Sequence, residues 1–247
     1  MTDHDPPSRP LRVFVDVGAH MGSSAALALQ PPFRFDRVIS VEPDPQMVEV
    51  LRERFSAERE AGRYVVAPYG LGERCGEAEL FGDNTGGGAS LLAQKSPAAA
   101  GEGRRVSLLD WPSFSTRYQL DAAELFVKIN AEGAEVPILK SMLASGARNV
   151  SRLVVDFDVI KVPFGAWQKW RTVRALRRNG IPFDLAEAVL LKRPGRHGLA
   201  GWFNSLPGVV ETPVPAERAS RLKRARMTYL ECVSALGIRL DVFKARR

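Results

Sequence analysis

Two apolar runs constrain this chain most. LRVFVDVG (residues 11–18) and RVISVEP (37–43) are both rich in β-branched residues, both end at a turn, and both precede a stretch of helical character. A short run of this kind reads as a strand buried on both faces, and strands alternating with helices build a parallel sheet covered by helices. The first helix is predicted from Gly22 through SSAALALQ to the breaker Pro31-Pro32. The second is predicted with Asp44 as N-cap and Pro45 at the first helical position, running through MVEVLRERFSAERE.

RYVVAPYGLG reads as the third strand and its loop. Between Gly76 and Gly103 the short AELF, the turn-rich DNTGGGAS and the loop SPAAAGEG predict an excursion at the carboxyl-end rim of the sheet. RRVSLLDW then returns extended, ELFVKIN is the next apolar strand, EGAEVPILKSML is loop and helix, and RLVVDFDV is a further strand. A helix over Ala166–Asn179 puts Trp167, Trp170, Val173 and Leu176 on one stripe, which predicts core packing for both tryptophans. FDLAEAVLLKR supplies one or two terminal strands. Trp202 and Phe203, in a Gly-flanked loop with His197 nearby, are predicted substrate contacts, and HGLAGWFN a lid. An amphipathic helix is predicted over Ala216–Leu236.

At 247 residues and 45% hydrophobic content, the chain suits one large α/β domain with an appendage. The boundaries expected are a flexible 1–10, a main α/β domain over 11–192, and a basic C-terminal extension over 193–247 packed on it. No window approaches the roughly 18 apolar residues of a membrane span, and MTDHDPPSRP offers no apolar leader segment, so a cytoplasmic protein is expected. Cys75 and Cys232 show no metal-ligand or CxxC spacing and read as reduced thiols. Residues 1–159 carry 17 Lys/Arg against 22 Asp/Glu, net −5, whereas residues 160–247 carry 18 against 6, net +12. The basic third can attract an acidic partner; the alternative is a solvated, solubilising face.

DVGAHMG, Asp16 to Gly22, lies between a strand and a helix, where a tight turn brings backbone N–H groups toward a ligand. Its spacing is GxxxG and not the GxGxxG of a dinucleotide fingerprint. That favours an uncharged or cationic adenosine derivative over a pyrophosphate. Glu42 ends the second strand 24 residues after Gly18, where a carboxylate accepts both ribose hydroxyls. The alternative for Glu42 is a rim carboxylate capping the helix after it.

DVGAHMG, VEPDP, GLGERCGEAELF, GGGASLL and VKINAEGAEVPIL, in this order and at these spacings, resemble the FkbM family of S-adenosylmethionine-dependent methyltransferases over roughly residues 12–160. The resemblance implies a class I methyltransferase-like, Rossmann-like α/β fold. Its sheet would be mostly parallel and seven-stranded, with helices on both faces, here followed by the basic helical extension. It also implies S-adenosyl-L-methionine as cofactor and methyl transfer to a hydroxyl of a sugar, glycolipid or polyketide-type molecule. By matching position, Asp16, Gly18, Ala19, His20 and Gly22 shape the cofactor pocket, with Asp16 near the methionine ammonium. Glu42 and Pro43 lie at the ribose, and Tyr69, Gly70 and Leu71 beside the adenine.

The family's strand-end motif usually reads KIDVEGAE, whereas this chain has Asn130 in place of the aspartate. An amide can orient the cofactor or a hydroxyl but cannot act as a base near neutral pH. Glu132 and His20 are then the candidates to take a proton. Glu132 can equally cap the next helix, and His20 can be a hydrogen-bonded turn residue. Asn130 also raises the alternative of a catalytically silent S-adenosylmethionine-binding partner protein. An NAD-dependent oxidoreductase is disfavoured by the glycine spacing and the lack of a Tyr-x-x-x-Lys pair. An RNA methyltransferase is disfavoured by the lack of an Asn-Pro-Pro-aromatic motif and of an organised RNA-binding module. The expected partner is a small-molecule or glycan acceptor, with an acidic one suited to the basic third.

Overall fold

In the computed structural model, residues 9–82, 89–91, 103–159, 162–186, 198–207 and 209 are described. The chain runs β1 (Arg12–Val17), α1 (Ser23–Ala28), a 3-10 turn (Pro31–Phe33), β2 (Arg37–Val41), α2 (Pro45–Arg54), α3 (Ser56–Glu60) and β3 (Tyr64–Ala67). A small excursion follows, made of β4 (Gly70–Leu71), β5 (Gly76–Leu80) and β6 (Arg104–Leu109). Then come α4 (Trp111–Tyr118), β7 (Glu124–Ile129), α5 (Glu135–Ala144), β8 (Val150–Val155), α6 (Gly165–Arg178), β9 (Phe183–Leu185) and α7 (Gly198–Asn204).

The main sheet has the order β3-β2-β1-β7-β8-β9, and every pair in it is parallel. It therefore has six described strands, not the seven expected. Of the segment predicted to give one or two terminal strands, β9 is the described part; residues 187–197 lie outside the described residues, as does the predicted helix over Ala216–Leu236. The chain leaves β1 toward β2 and β3 on one side, then returns to β7 on the other. That reversal opens a crevice beyond the carboxyl ends of β1, β2 and β7, the usual ligand site of an open α/β sheet. The second sheet, β4-β6-β5, sits at this rim with β5 antiparallel to β6.

Alternation along β1 divides its side chains between two cores. Val13, Val15 and Val17 share one face with Trp111 and Phe114 of α4, Ile138 and Met142 of α5, and Leu176 of α6. Phe14 shares the other with Ala25 of α1, Leu51 and Phe55 around α2, and Trp202 and Phe203 of α7. Each fully buried aromatic or aliphatic side chain contributes about 1.5–3 kcal/mol, so both helical layers are held firmly to the sheet.

Asp44 caps α2 as expected, its carboxylate accepting from Gln46 N–H at 2.9 Å. The predicted helix over 44–60 is broken at Phe55, whose φ of −114° and ψ of 32° leave the helical region while its ring packs 4.5 Å from that of Tyr64. α4 was not anticipated, although Asp110 caps it through Ser113 N–H at 2.9 Å with Pro112 in its first turn.

Two aromatic assignments are reversed. Trp167 and Trp170 are exposed, because α6 turns Gly165, Thr172 and Leu176 inward instead. Trp202 and Phe203 are buried on a helix, not displayed on a loop: Trp202 Nε1 donates to Asp184 at 3.0 Å, and the Phe203 ring packs at 4.9–5.4 Å on Phe14, Phe33 and Phe35. They are not substrate contacts, and α7 is part of the core and not a lid; His197 lies outside the described residues. No described helix is long and apolar enough to cross a membrane.

Candidate functional site

The turn after β1 is built by backbone geometry. Gly18 has φ 75°, and its N–H and that of Ala19 donate to Val41 O at 3.0 and 3.2 Å, which carries the chain over the end of β2. A Cβ on Gly18 would stand 1.9 Å from the backbone oxygen of Asn130, so only glycine lets the turn lie against the end of β7. His20 follows at φ 49°, and its N–H donates to Glu42 Oε2 at 2.8 Å.

Glu42 is buried, and its second oxygen, Oε1, accepts from Asp44 N–H at 3.0 Å. Burial pushes its pKa above the usual glutamate range, while the Asp44 and His20 N–H groups pull the other way by favouring the charged form. The carboxylate is thereby held in one orientation at the mouth of the crevice. Asp44 is anchored in turn by Arg104 of β6, which donates at 2.8 and 3.4 Å and ties the small sheet to the rim.

The opposite wall is the turn after β7. Glu132 has φ 52° and Gly133 φ 105°, an arrangement held by the buried carboxylate of Glu135, which accepts from Ala131 N–H at 2.9 Å and Gly133 N–H at 3.1 Å. Burial again raises the carboxyl pKa. Ser90 Oγ donates to Glu132 O at 2.8 Å, which brings Ala89 and Leu91 over the site.

One pocket joins these parts. Gly18, His20, Glu42, Pro43, Gly70, Leu71, Asn130 and Glu132 all line it, with Asp44, Met47, Leu91 and Ile138 among the rest. His20 Nε2 is buried there without a protein hydrogen-bond partner.

The family model for the methyltransferase FkbM domain matches residues 16–180. This chain belongs to the FkbM methyltransferase family. The crystal structure of methyltransferase FkbM from Methylobacillus flagellatus KT is 20% identical with a TM-score of 0.43, and the match covers 70% of this chain and 38% of that one. The chain thus spans under two fifths of that protein's length. No curated protein matches.

Four of the residues assigned to the FkbM pocket from sequence do not line it. Asp16 alternates with Val17 on β1, so its carboxylate is fully buried on the α1 side of the sheet, paired with Lys128 Nζ at 2.9 Å. Lys128 also donates to Gly18 O at 3.1 Å, so this buried pair braces the glycine turn from behind. Ala19 packs into the α1 core. Gly22 seats α1, since a Cβ there would meet Leu51 and Phe55 within 2.7 Å. Tyr69 is buried toward Tyr118, their ring centroids 6.3 Å apart, with the Arg117 guanidinium over its ring.

Glu132 does not cap α5, whose first turn is held by Glu135. Glu135 stands inside the strand-end motif and its sequence signal was available. Met47, Leu91 and Ile138 carry no chemical signature and enter the site through packing alone, whereas Asp44, read from sequence only as a helix cap, reaches it through its N–H on Glu42 and its pairing with Arg104.

Proposed function

We propose that this chain is an S-adenosylmethionine-dependent O-methyltransferase acting on a hydroxyl of a sugar, glycolipid or polyketide-type small molecule. The observation that carries the reading is the buried Glu42 carboxylate, lining the pocket with one backbone N–H on each oxygen. Each oxygen keeps a lone pair for one of two vicinal ribose hydroxyls. Family membership supports the same cofactor, as does the orphaned His20 Nε2, a buried polar atom suited to a polar ligand.

Glu42 and Pro43 would hold the ribose, Gly70, Leu71 and Ile138 the base, and Gly18, His20 and Asn130 the remainder. When bound, S-adenosylmethionine supplies a methyl group already activated as a sulfonium. The protein's task is to hold an acceptor oxygen roughly 3–3.5 Å from that carbon. Asn130 can orient the hydroxyl but not accept its proton, which falls to Glu132, His20 or water.

Asn130 also favours a second reading, a catalytically silent cofactor-binding partner protein. Methyl transfer from labelled S-adenosylmethionine to a panel of sugar, glycolipid and polyketide acceptors, by wild type, Asn130→Asp and Glu132→Gln, separates the two. Our reading expects wild-type turnover, reduced by roughly 10² in Glu132→Gln if Glu132 is the base. Turnover by Asn130→Asp alone would establish the silent binder instead.

A further inference from the structure

We propose that the outer face of α6 docks on an anionic phospholipid membrane. Among the described residues the exposed large hydrophobics are Leu11, Met21, Phe164, Trp167 and Trp170, and the last three, each more than half exposed, adjoin one another at the start of α6. At about 100° per residue, Trp167, Trp170, Arg171, Arg174 and Arg178 fall within an arc of about 100°, opposite the inward Gly165, Thr172 and Leu176, with exposed Phe164 immediately before the helix. The face is therefore one continuous aromatic and cationic stripe. Residues 165–178 hold five Lys/Arg and no Asp/Glu.

Each tryptophan is matched to an arginine one turn on. The Arg171 guanidinium lies 4.7 Å from the Trp167 ring centroid, and that of Arg174 lies 5.5 Å from the Trp170 centroid. Charge decides the sign of the partner. A second copy of α6 would set a helix with five Lys/Arg and no acidic residue against its like, and residues 210–247, with nine Lys/Arg against four Asp/Glu, are also basic. Both are poor occupants.

An anionic bilayer suits the stripe better than a nucleic acid does. Base stacking needs open ring faces beside a groove that tracks the backbone, whereas here an arginine covers one face of each indole on the convex side of a single helix. Indoles and phenyl rings settle at headgroup depth, with arginines reaching to lipid phosphates. Because α6 runs back from the carboxyl end of β8, its aromatic end lies at the strand-end rim that also carries the pocket. The docking does not depend on methyl transfer and is tested without it.

The test is co-sedimentation of the full chain with vesicles of phosphatidylcholine alone or with one-third phosphatidylglycerol. We expect binding to the anionic vesicles that weakens with salt. Each surface cation contributes about fivefold to partitioning, so Arg171→Glu/Arg174→Glu should lower it more than tenfold, and Trp167→Ala/Trp170→Ala should lower it similarly. Brominated lipids should quench wild-type fluorescence, which would report on Trp167 and Trp170, since Trp111 and Trp202 are buried; the double alanine variant should not be quenched. Absence of binding would overturn the proposal. So would binding that survives both α6 variants but is lost in Lys223→Glu/Arg224→Glu, or tight binding of single-stranded oligouridylate by wild type, without vesicles, that the tryptophan variant loses while wild type binds anionic vesicles no better than phosphatidylcholine alone.

Discussion

Replacing Gly18 by alanine tests whether the pocket depends on direct contact between the first turn and the end of β7. The new Cβ would begin 1.9 Å from Asn130 O. An ordinary C···O approach is about 3.3 Å, so the two walls must part by about 1.4 Å. Overpacking of this kind costs about 1–3 kcal/mol, and a β-carbon at φ 75° about 1–2 kcal/mol more. Gly62→Ala is the internal control: it has nearly the same φ, 71°, but nothing within 4 Å of its Cβ, so it isolates the backbone term. Urea denaturation should show Gly18→Ala destabilised by about 2–5 kcal/mol and Gly62→Ala by only about 1–2 kcal/mol. Displacing Asn130 by an ångström should also weaken a ligand held between the walls. Equal losses for the two variants would refute the steric argument and leave Gly18 as an ordinary turn glycine.

Lys128→Met strands the Asp16 carboxylate in the core and should cost about 3–5 kcal/mol, with Asp16→Asn/Lys128→Met regaining part of it; thermal melts decide, and unchanged stability in the single variant would contradict the buried pair. Phe203→Ala should destabilise by about 3–5 kcal/mol without a specific effect on acceptor KM, whereas a KM change at intact stability would restore the substrate-contact assignment. The folded-state pKa of Glu135 is raised by burial, so its contribution to stability is full below its unfolded pKa and is lost as pH rises through the folded one. Denaturant titrations at several pH values should therefore show wild type losing stability relative to Glu135→Gln as pH climbs from the ordinary glutamate range; parallel curves would contradict that shift.

The glycine turn, the Asp44–Pro45 helix start and the strand-end carboxylate were legible because each is a local signal: a required φ, a cap, a position after an apolar run. Alternation in RVFVDV already separates Asp16 from Val17, so its absence from the pocket could have been read. Its partner Lys128, 112 residues away, could not. Periodicity in α6 showed which residues share a stripe but not which stripe faces inward, and the small Gly165 and Thr172 give the inner face a weak apolar signature. The burial of Trp202 and Phe203 rests on Phe14, Phe33 and Phe35, remote in sequence, while the glycines beside them suggested a loop. A seventh strand was implied by the family resemblance and allowed by FDLAEAVLLKR, read as one or two strands; the described part of that segment gives β9, and the described sheet has six.

The central claim is that Glu42 binds the ribose of S-adenosylmethionine in the pocket at the ends of β1, β2 and β7. Calorimetric titration of S-adenosylhomocysteine into wild type and Glu42→Gln, both verified as folded by thermal melts, tests it most directly. Loss of a charged acceptor is worth about 1.5–3 kcal/mol, so the account predicts binding by wild type and an affinity roughly 10- to 150-fold weaker in the variant. A folded wild type that does not bind, or equal affinity in the two proteins, would contradict it.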